Sequence, residues 1–175
     1  MDSNAPKQPS LYQHFLATLF RQNPFFRGTA SIPNHHIFKK ISGQQRRADW
    51  TRTPGGEIFA SEDDFIGRAA FFSGDLDPKL TWIAKKLLKP GDIVFDVGTN
   101  IGILTLLFSD LIGASGRVHA FEPNPMVMGK LRSAIERKRV KNVELNEVAL
   151  GRRERHHHLE DTVAESRGGI DCQMA

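Results

Sequence analysis

The stretch Gly91-Asp92-Ile93-Val94-Phe95-Asp96-Val97-Gly98-Thr99-Asn100-Ile101-Gly102 decides the fold. Ile93, Val94, Phe95 and Val97 form a short apolar, β-branched run, which suits a strand buried on both faces of a parallel sheet. Asp96 interrupts that run near its carboxyl end. Gly98 and Gly102, four residues apart, turn the chain. A helical period follows, with Ile101, Leu104, Phe108 and Leu111 recurring along one face. A strand, a glycine turn and a helix, with an acid at the strand tip, make a small-molecule site at the carboxyl edge of a sheet.

The same unit repeats downstream. Gly113, Ser115 and Gly116 close the helix. Residues 117–121 read as a second strand finishing at Glu122. Asn124 caps and Pro125 starts a second helix, lined by Met128, Leu131 and Ile135. Residues 143–150 read as a third strand. The order βαβαβ means a parallel sheet with right-handed crossovers. Upstream, Asp77 and Pro78 open a helix whose buried stripe is predicted to be Leu80, Ile83, Ala84, Leu87 and Leu88. Pro90-Gly91 stops it. Leu11, Phe15, Leu16, Leu19 and Phe20 predict a helix over 11–21 that docks on the core. Residues 25–47 have no clear period and read as loop or extended linker, with His35 and His36 as surface residues rather than metal ligands. Ile58 and Phe59 suggest a strand, and Asp63 with Asp64 a turn or helix start. The first ten residues are polar and expected to be disordered.

At 175 residues the chain holds one ordinary domain. The formal charge of +4 is mildly basic. Its cations gather at Lys85, Lys86 and Lys89 and between Arg137 and Lys141, which reads as solvated surface, with an anionic partner as the alternative and no nucleic acid expected. Cys172 is the one cysteine, so no intrachain disulfide can form and a reducing compartment is expected. No apolar run approaches the roughly 20 residues that span a bilayer. The N-terminus lacks a basic start followed by an apolar core. A cytoplasmic location is the expectation.

Glu122 lies twenty residues beyond Gly102, at the tip of the second strand. An acid there can accept hydrogen bonds from both ribose hydroxyls, whether the nucleoside belongs to a nicotinamide cofactor or to S-adenosylmethionine. The glycine turn separates the two. A dinucleotide site uses G-x-G-x-x-G, because a pyrophosphate needs close backbone approach and a helix N-terminus. Here the spacing is G-x-x-x-G, with Asp96 two residues ahead. That carboxylate would repel a pyrophosphate but can hold an ammonium group. S-adenosylmethionine carries the ammonium and no phosphate. No Walker lysine is present, which removes the nucleoside triphosphate reading.

Three segments together carry a resemblance. They are Asp96-Val-Gly-Thr-Asn-Ile-Gly102, Gly116-Arg-Val-His-Ala-Phe-Glu122-Pro-Asn-Pro and Asn142-Val-Glu-Leu-Asn-Glu-Val-Ala-Leu-Gly151. The chain over residues 57–151 resembles the FkbM-type methyltransferases, including the upstream Asp64-Phe-Ile-Gly-Arg and Phe71-Phe-Ser-Gly-Asp-Leu-Asp-Pro78. Thr99 stands where alanine is commoner. The resemblance implies an α/β, Rossmann-like class I methyltransferase fold with S-adenosyl-L-methionine as cofactor. It implies O-methylation of a hydroxyl on a small molecule, sugar or lipid-linked acceptor. Asp96, Gly98, Asn100 and Gly102 would cradle the methionine end of the cofactor, Glu122 would bind the ribose, and Ala149 would lie near the adenine. No general base is identified. His119, inside the second strand, reads as packed. No Asn/Asp-Pro-Pro-Tyr/Phe tetrapeptide occurs, which disfavours N-methylation.

The resemblance ends at Gly151. The family continues with further strands, the first bearing Asp-x-Glu-Gly, and nothing in residues 152–175 matches. The expectation is that only the N-terminal half of the sheet is present, in a truncated, frameshifted or fragmentary chain. The strand at Ile93–Val97 would then be an exposed apolar edge. The organisation expected is an N-terminal helix and linker (1–55), the first half of a methyltransferase domain (56–151) and a disordered polar tail (152–175). His156, His157 and His158 in that tail read as solvated. Two other functions remain open: a non-catalytic cofactor-binding or accessory protein, and a nicotinamide-dependent oxidoreductase disfavoured by the glycine spacing.

Overall fold

The computed structural model describes residues 8–22, 31–42, 48–62 and 64–151. Helices α1 (Leu11–Gln22), α2 (Ser31–Asn34) and α3 (His36–Ser42) precede a hairpin of β1 (Ala48–Thr53) and β2 (Gly56–Ser61). Helices α4 (Phe65–Ser73) and α5 (Pro78–Leu87) follow. The remainder is β3 (Ile93–Val97), α6 (Ile103–Ile112), β4 (Arg117–Phe121), α7 (Pro125–Lys138) and β5 (Val143–Asn146). Asp63 and the histidines of the tail lie outside the described residues, as do Cys172 and the rest of 152–175.

The parallel sheet has the order β3-β4-β5, with Ile93 opposite Arg117 and Val118 opposite Val143. Both helix starts were legible from short side chains. Asp77 accepts from the amides of Lys79 and Leu80 ahead of α5, and Asn124 from those of Met126 and Val127 ahead of α7. Asp64 caps α4 by accepting from the Gly67 amide. Gly67 can only be glycine, because a Cβ there would stand 2.1 Å from the carbonyl oxygen of Ser61 on β2. Ile58, Phe72, Ile101, Leu106 and Ala134 join β2, α4, α6 and α7 in one core. Ala120, Met128 and Leu131 form a second cluster between α7 and the sheet.

Several expectations need correction. Residues 31–42 are helical rather than linker. Phe38 of α3 stacks edge-on against Phe20 and Phe72 and so belongs to the core. The division at residue 55 falls inside the β1–β2 turn, and Ala17 and Trp50 share the core of Ile58 and Ile103. The buried face of α1 is Gln13, Ala17 and Phe20; Leu11, Phe15 and Leu19 are exposed. On α5, Thr81 and Ala84 are buried, whereas Leu80, Ile83 and Leu87 are exposed, so the buried side of the helix is the narrow one that carries Thr81 and Ala84. Leu104, Phe108 and Leu111 of α6 are only half-buried. Leu106 and Ile112 carry the contact instead. The third strand stops at Asn146, four residues short of the expected end.

The central strand is also not buried on both faces. Val118 and Ala120 of β4 lie under the helices and are inaccessible, while Ile93, Phe95 and Val97 are 66%, 64% and 59% exposed. On that open face the Phe95 ring stacks on His119 at 5.0 Å and lies 6.2 Å from Phe121. Among the described residues β3 has a strand neighbour on one side only. His119, packed between Phe95 and Glu144 (3.5 Å), sits at mid-strand and not at the carboxyl tips.

Candidate cofactor site

The turn from Asp96 to Gly102 is built by backbone conformations that most residues avoid. Gly98 has φ +78°, Asn100 φ +50° and Gly102 φ +89°. Glycine takes the first and last without a Cβ penalty, and asparagine is the side chain that best tolerates the middle one. Open space surrounds the position a Gly98 Cβ would occupy. At Gly102 a Cβ would stand 2.3 Å from Leu131 Cδ1. Gly98 therefore lies at an accessible rim, and Gly102 lets α6 pack against α7.

Five consecutive amides of this turn donate internally. Gly98 N and Thr99 N both reach the Phe121 carbonyl, at 2.8 and 3.1 Å. Asn100 N reaches Glu122 Oε2 at 3.1 Å, Ile101 N reaches Asn100 Oδ1 at 2.8 Å, and Gly102 N reaches the Thr99 carbonyl at 3.0 Å. A pyrophosphate cradle depends on such amides being free. Here only the first-turn amides of α6 remain, at a helix start with no side-chain cap.

Two acids flank the turn. Glu122 follows β4 and is 9% exposed. Its Oε2 accepts from Asn100 and its Oε1 from the Asn124 amide at 3.0 Å, so it ties the glycine turn to the start of α7. A carboxylate has about four lone-pair sites, so each oxygen can still accept a hydroxyl. Asp96 is buried at the end of β3. Its Oδ2 accepts from Thr105 Oγ1 at 2.6 Å, its one hydrogen bond among the described residues. Burial pushes the Asp96 carboxyl above its ordinary range, and the Thr105 hydroxyl partly offsets that. No cation pairs with Asp96 among the described residues. A desolvated acid without a counter-charge beside an open glycine rim fits an ammonium-bearing ligand. Thr105 escaped the sequence reading, because a threonine nine residues past an acid has no signature of its own.

Asp96, Gly98, Asn100 and Glu122 are thus brought to one end of the sheet by the β3 and β4 tips. Gly102 is buried behind them. Ala149 is exposed and lies three residues past the end of β5. His35 and His36 stack on each other at 4.3 Å at the α2–α3 junction, and no cluster of metal-ligating side chains occurs among the described residues. No helix among them is long and apolar enough to cross a membrane.

The half-sheet, the glycine turn and the two tip acids define a methyltransferase-like segment. The family described as Protein-L-isoaspartate(D-aspartate) O-methyltransferase matches residues 78–153. The FkbM resemblance is matched by 31-O-demethyl-FK506 methyltransferase FkbM of Streptomyces tacrolimicus, 51% identical over 53 residues. That alignment covers 30% of this chain and 20% of the relative. Ribosomal RNA large subunit methyltransferase E of Bdellovibrio bacteriovorus is 30% identical over 76 residues, 43% of this chain and 36% of the relative. Among solved structures, a SAM-dependent methyltransferase from Aquifex aeolicus superposes over 41% of this chain and 38% of its own, with 28% identity and a TM-score of 0.37. The chain therefore spans a fifth to about a third of the curated relatives' length. Residues 78–153 are thus similar to methyltransferases in sequence.

Proposed function

We propose that the chain binds S-adenosyl-L-methionine at the Asp96–Glu122 rim and serves O-methylation of a hydroxyl on a small molecule, sugar or lipid-linked acceptor. The observation that carries the reading is the turn itself. Its amides are consumed internally, and its two flanking groups are acids. Asp96 favours a cationic, phosphate-free nucleoside over a dinucleotide, and Glu122 suits the ribose of either. The small-molecule acceptor rests on the FkbM relative, which is more similar than the ribosomal RNA enzyme.

In this reading Asp96 holds the cofactor's ammonium group and Gly98 lets its methionine end approach the backbone. Glu122 accepts the ribose hydroxyls while bracing Asn100, and Ala149 lies near the adenine. The bound cofactor supplies an electrophilic methyl group whose sulfur leaves without an acid. The protein's work is then alignment and exclusion of water at the strand tips. A hydroxyl acceptor needs a base, and no described side chain at the rim supplies a neutral imidazole. His119 is held at mid-strand by Phe95 and Glu144. A second reading is a cofactor-binding protein without turnover of its own. Incubation with methyl-labelled S-adenosylmethionine and a panel of hydroxylated acceptors separates the two. Label transfer supports the first reading, and cofactor binding with no transfer supports the second.

A further inference from the structure

A second cavity shares no residue with the glycine turn. It lies between the C-terminal end of α4, the β1–β2 turn and the outer side of α5, with a volume of about 430 Å³. Arg21, Arg52 and Lys85 line it, with Asp75 and Trp82. None of the three cations has a carboxylate partner within 4.0 Å among the described residues. Arg21 is fixed rather than mobile. Its Nη1 donates to the Arg52 carbonyl, and its Nη2 donates to the Phe71 carbonyl at 2.6 Å, to the Ala70 carbonyl and to Thr51 Oγ1. Those carbonyls end α4, so part of the guanidinium's role is to complement a helix C-terminus. That role leaves Arg21 Nε buried with no acceptor among the described residues. Gly74, in left-handed backbone (φ +73°), packs beside it, where a Cβ would be in ordinary contact with Nε at 3.5 Å.

Charge decides what this cavity suits. Three cations face one acid, a balance of +2. Asp75 accepts from Thr81 Oγ1 and the Asp77 amide at 3.1 Å each, both through Oδ1, and it also attracts Lys85. Carbonyl dipoles do not neutralise two guanidiniums that repel one another across a cavity. Trp82, 62% exposed at the mouth, offers an apolar face to whatever carries the counter-charge. We propose that this cavity is a binding site for a small phosphate ester, its dianion held by Arg52 and Lys85 beside the fixed charge of Arg21, and its organic part lying on Trp82. A monoanionic carboxylate leaves half the charge uncompensated. The proposal does not depend on the cofactor reading.

Trp82 reports occupancy directly once Trp50, the other tryptophan, is replaced. The full chain carrying Trp50→Phe is titrated with inorganic phosphate at about pH 8, where the dianion dominates, with sodium chloride holding ionic strength constant. A saturable change in fluorescence is expected, with acetate much weaker. Arg52→Gln and Lys85→Gln each raise the midpoint about tenfold, the usual loss for a charge-assisted hydrogen bond. Both side chains are exposed, so the variants fold. Arg117→Gln, at the amino end of the middle strand β4 and outside the cavity, leaves the midpoint unchanged. A response linear in phosphate, matched by acetate or indifferent to both variants overturns the site. Saturable binding lost equally in Arg117→Gln overturns it as well, since that is bulk charge.

Discussion

Replacing Glu122 with glutamine tests whether this acid braces the turn. The carboxylate accepts Asn100 N on one oxygen and Asn124 N on the other, at 3.1 and 3.0 Å. Glutamine offers one oxygen. Whichever way the amide is oriented, its NH2 group meets one of the two N–H donors, and that buried donor loses its partner. An unsatisfied buried donor costs about 1–3 kcal/mol. Loss of a negative charge beside the start of α7 adds about 0.3–1 kcal/mol. The expected destabilisation is about 2–3 kcal/mol. With a urea slope of about 2 kcal/mol/M for a domain of this size, the midpoint falls by about 1–1.5 M. Urea unfolding followed by far-UV circular dichroism reads that shift. Glu122→Ala should cost at least as much, since both donors then lose their acceptor. An unchanged midpoint for Glu122→Gln refutes the bracing role and leaves Glu122 as an acid available only to a ligand.

Other predictions follow from the same turn. Gly102→Ala forces a Cβ into left-handed backbone, at about 1–2 kcal/mol, and against Leu131, at about 1–3 kcal/mol. Thermal unfolding should show a drop of several degrees. Asp96 has its carboxyl raised by burial, so the native state binds its proton more tightly than the unfolded chain does. Its contribution is present below the unfolded value of about 3.9 and is lost as pH rises through the higher folded value. Asp75 is raised by burial as well and acts with the same sign. Asp96→Asn keeps an acceptor for Thr105. It should flatten the pH dependence of the urea midpoint in that window and hold or raise stability at neutral pH, while weakening cofactor binding about tenfold.

The parts of the fold legible in the sequence were those with local chemistry. Asp77-Pro78 and Asn124-Pro125 announce helix starts because a short acceptor and a missing amide are what a first turn uses. Gly98, Asn100 and Gly102 announce a turn because φ is positive there. Orientation was less legible. Leu80, Ile83 and Leu87 have the spacing of a buried stripe, but periodicity does not say what covers it, and α5 buries Thr81 and Ala84 instead. The same limit applies to Phe95, read as buried and found on an open sheet face. Helices α2 and α3 were missed because they are short and depend on Phe38 contacting Phe20 and Phe72, which lie far away in sequence. Of the site, both acids and the glycines could be read. The Thr105 bond to Asp96 could not, since it depends on α6 packing back over β3, nor could the pairing of Glu122 with Asn100, which depends on the neighbouring tips of β3 and β4. The cavity of Arg21, Arg52 and Lys85 is assembled from three segments with no shared motif.

Isothermal titration of the full chain with S-adenosylhomocysteine and, separately, with NADH tests the central claim most directly. Saturable binding of S-adenosylhomocysteine at one site, weakened by Asp96→Asn and by Glu122→Gln, with no heat from NADH, is the expected result. Binding of NADH, or S-adenosylhomocysteine binding indifferent to both substitutions, contradicts an ammonium-and-ribose site at the tips of β3 and β4.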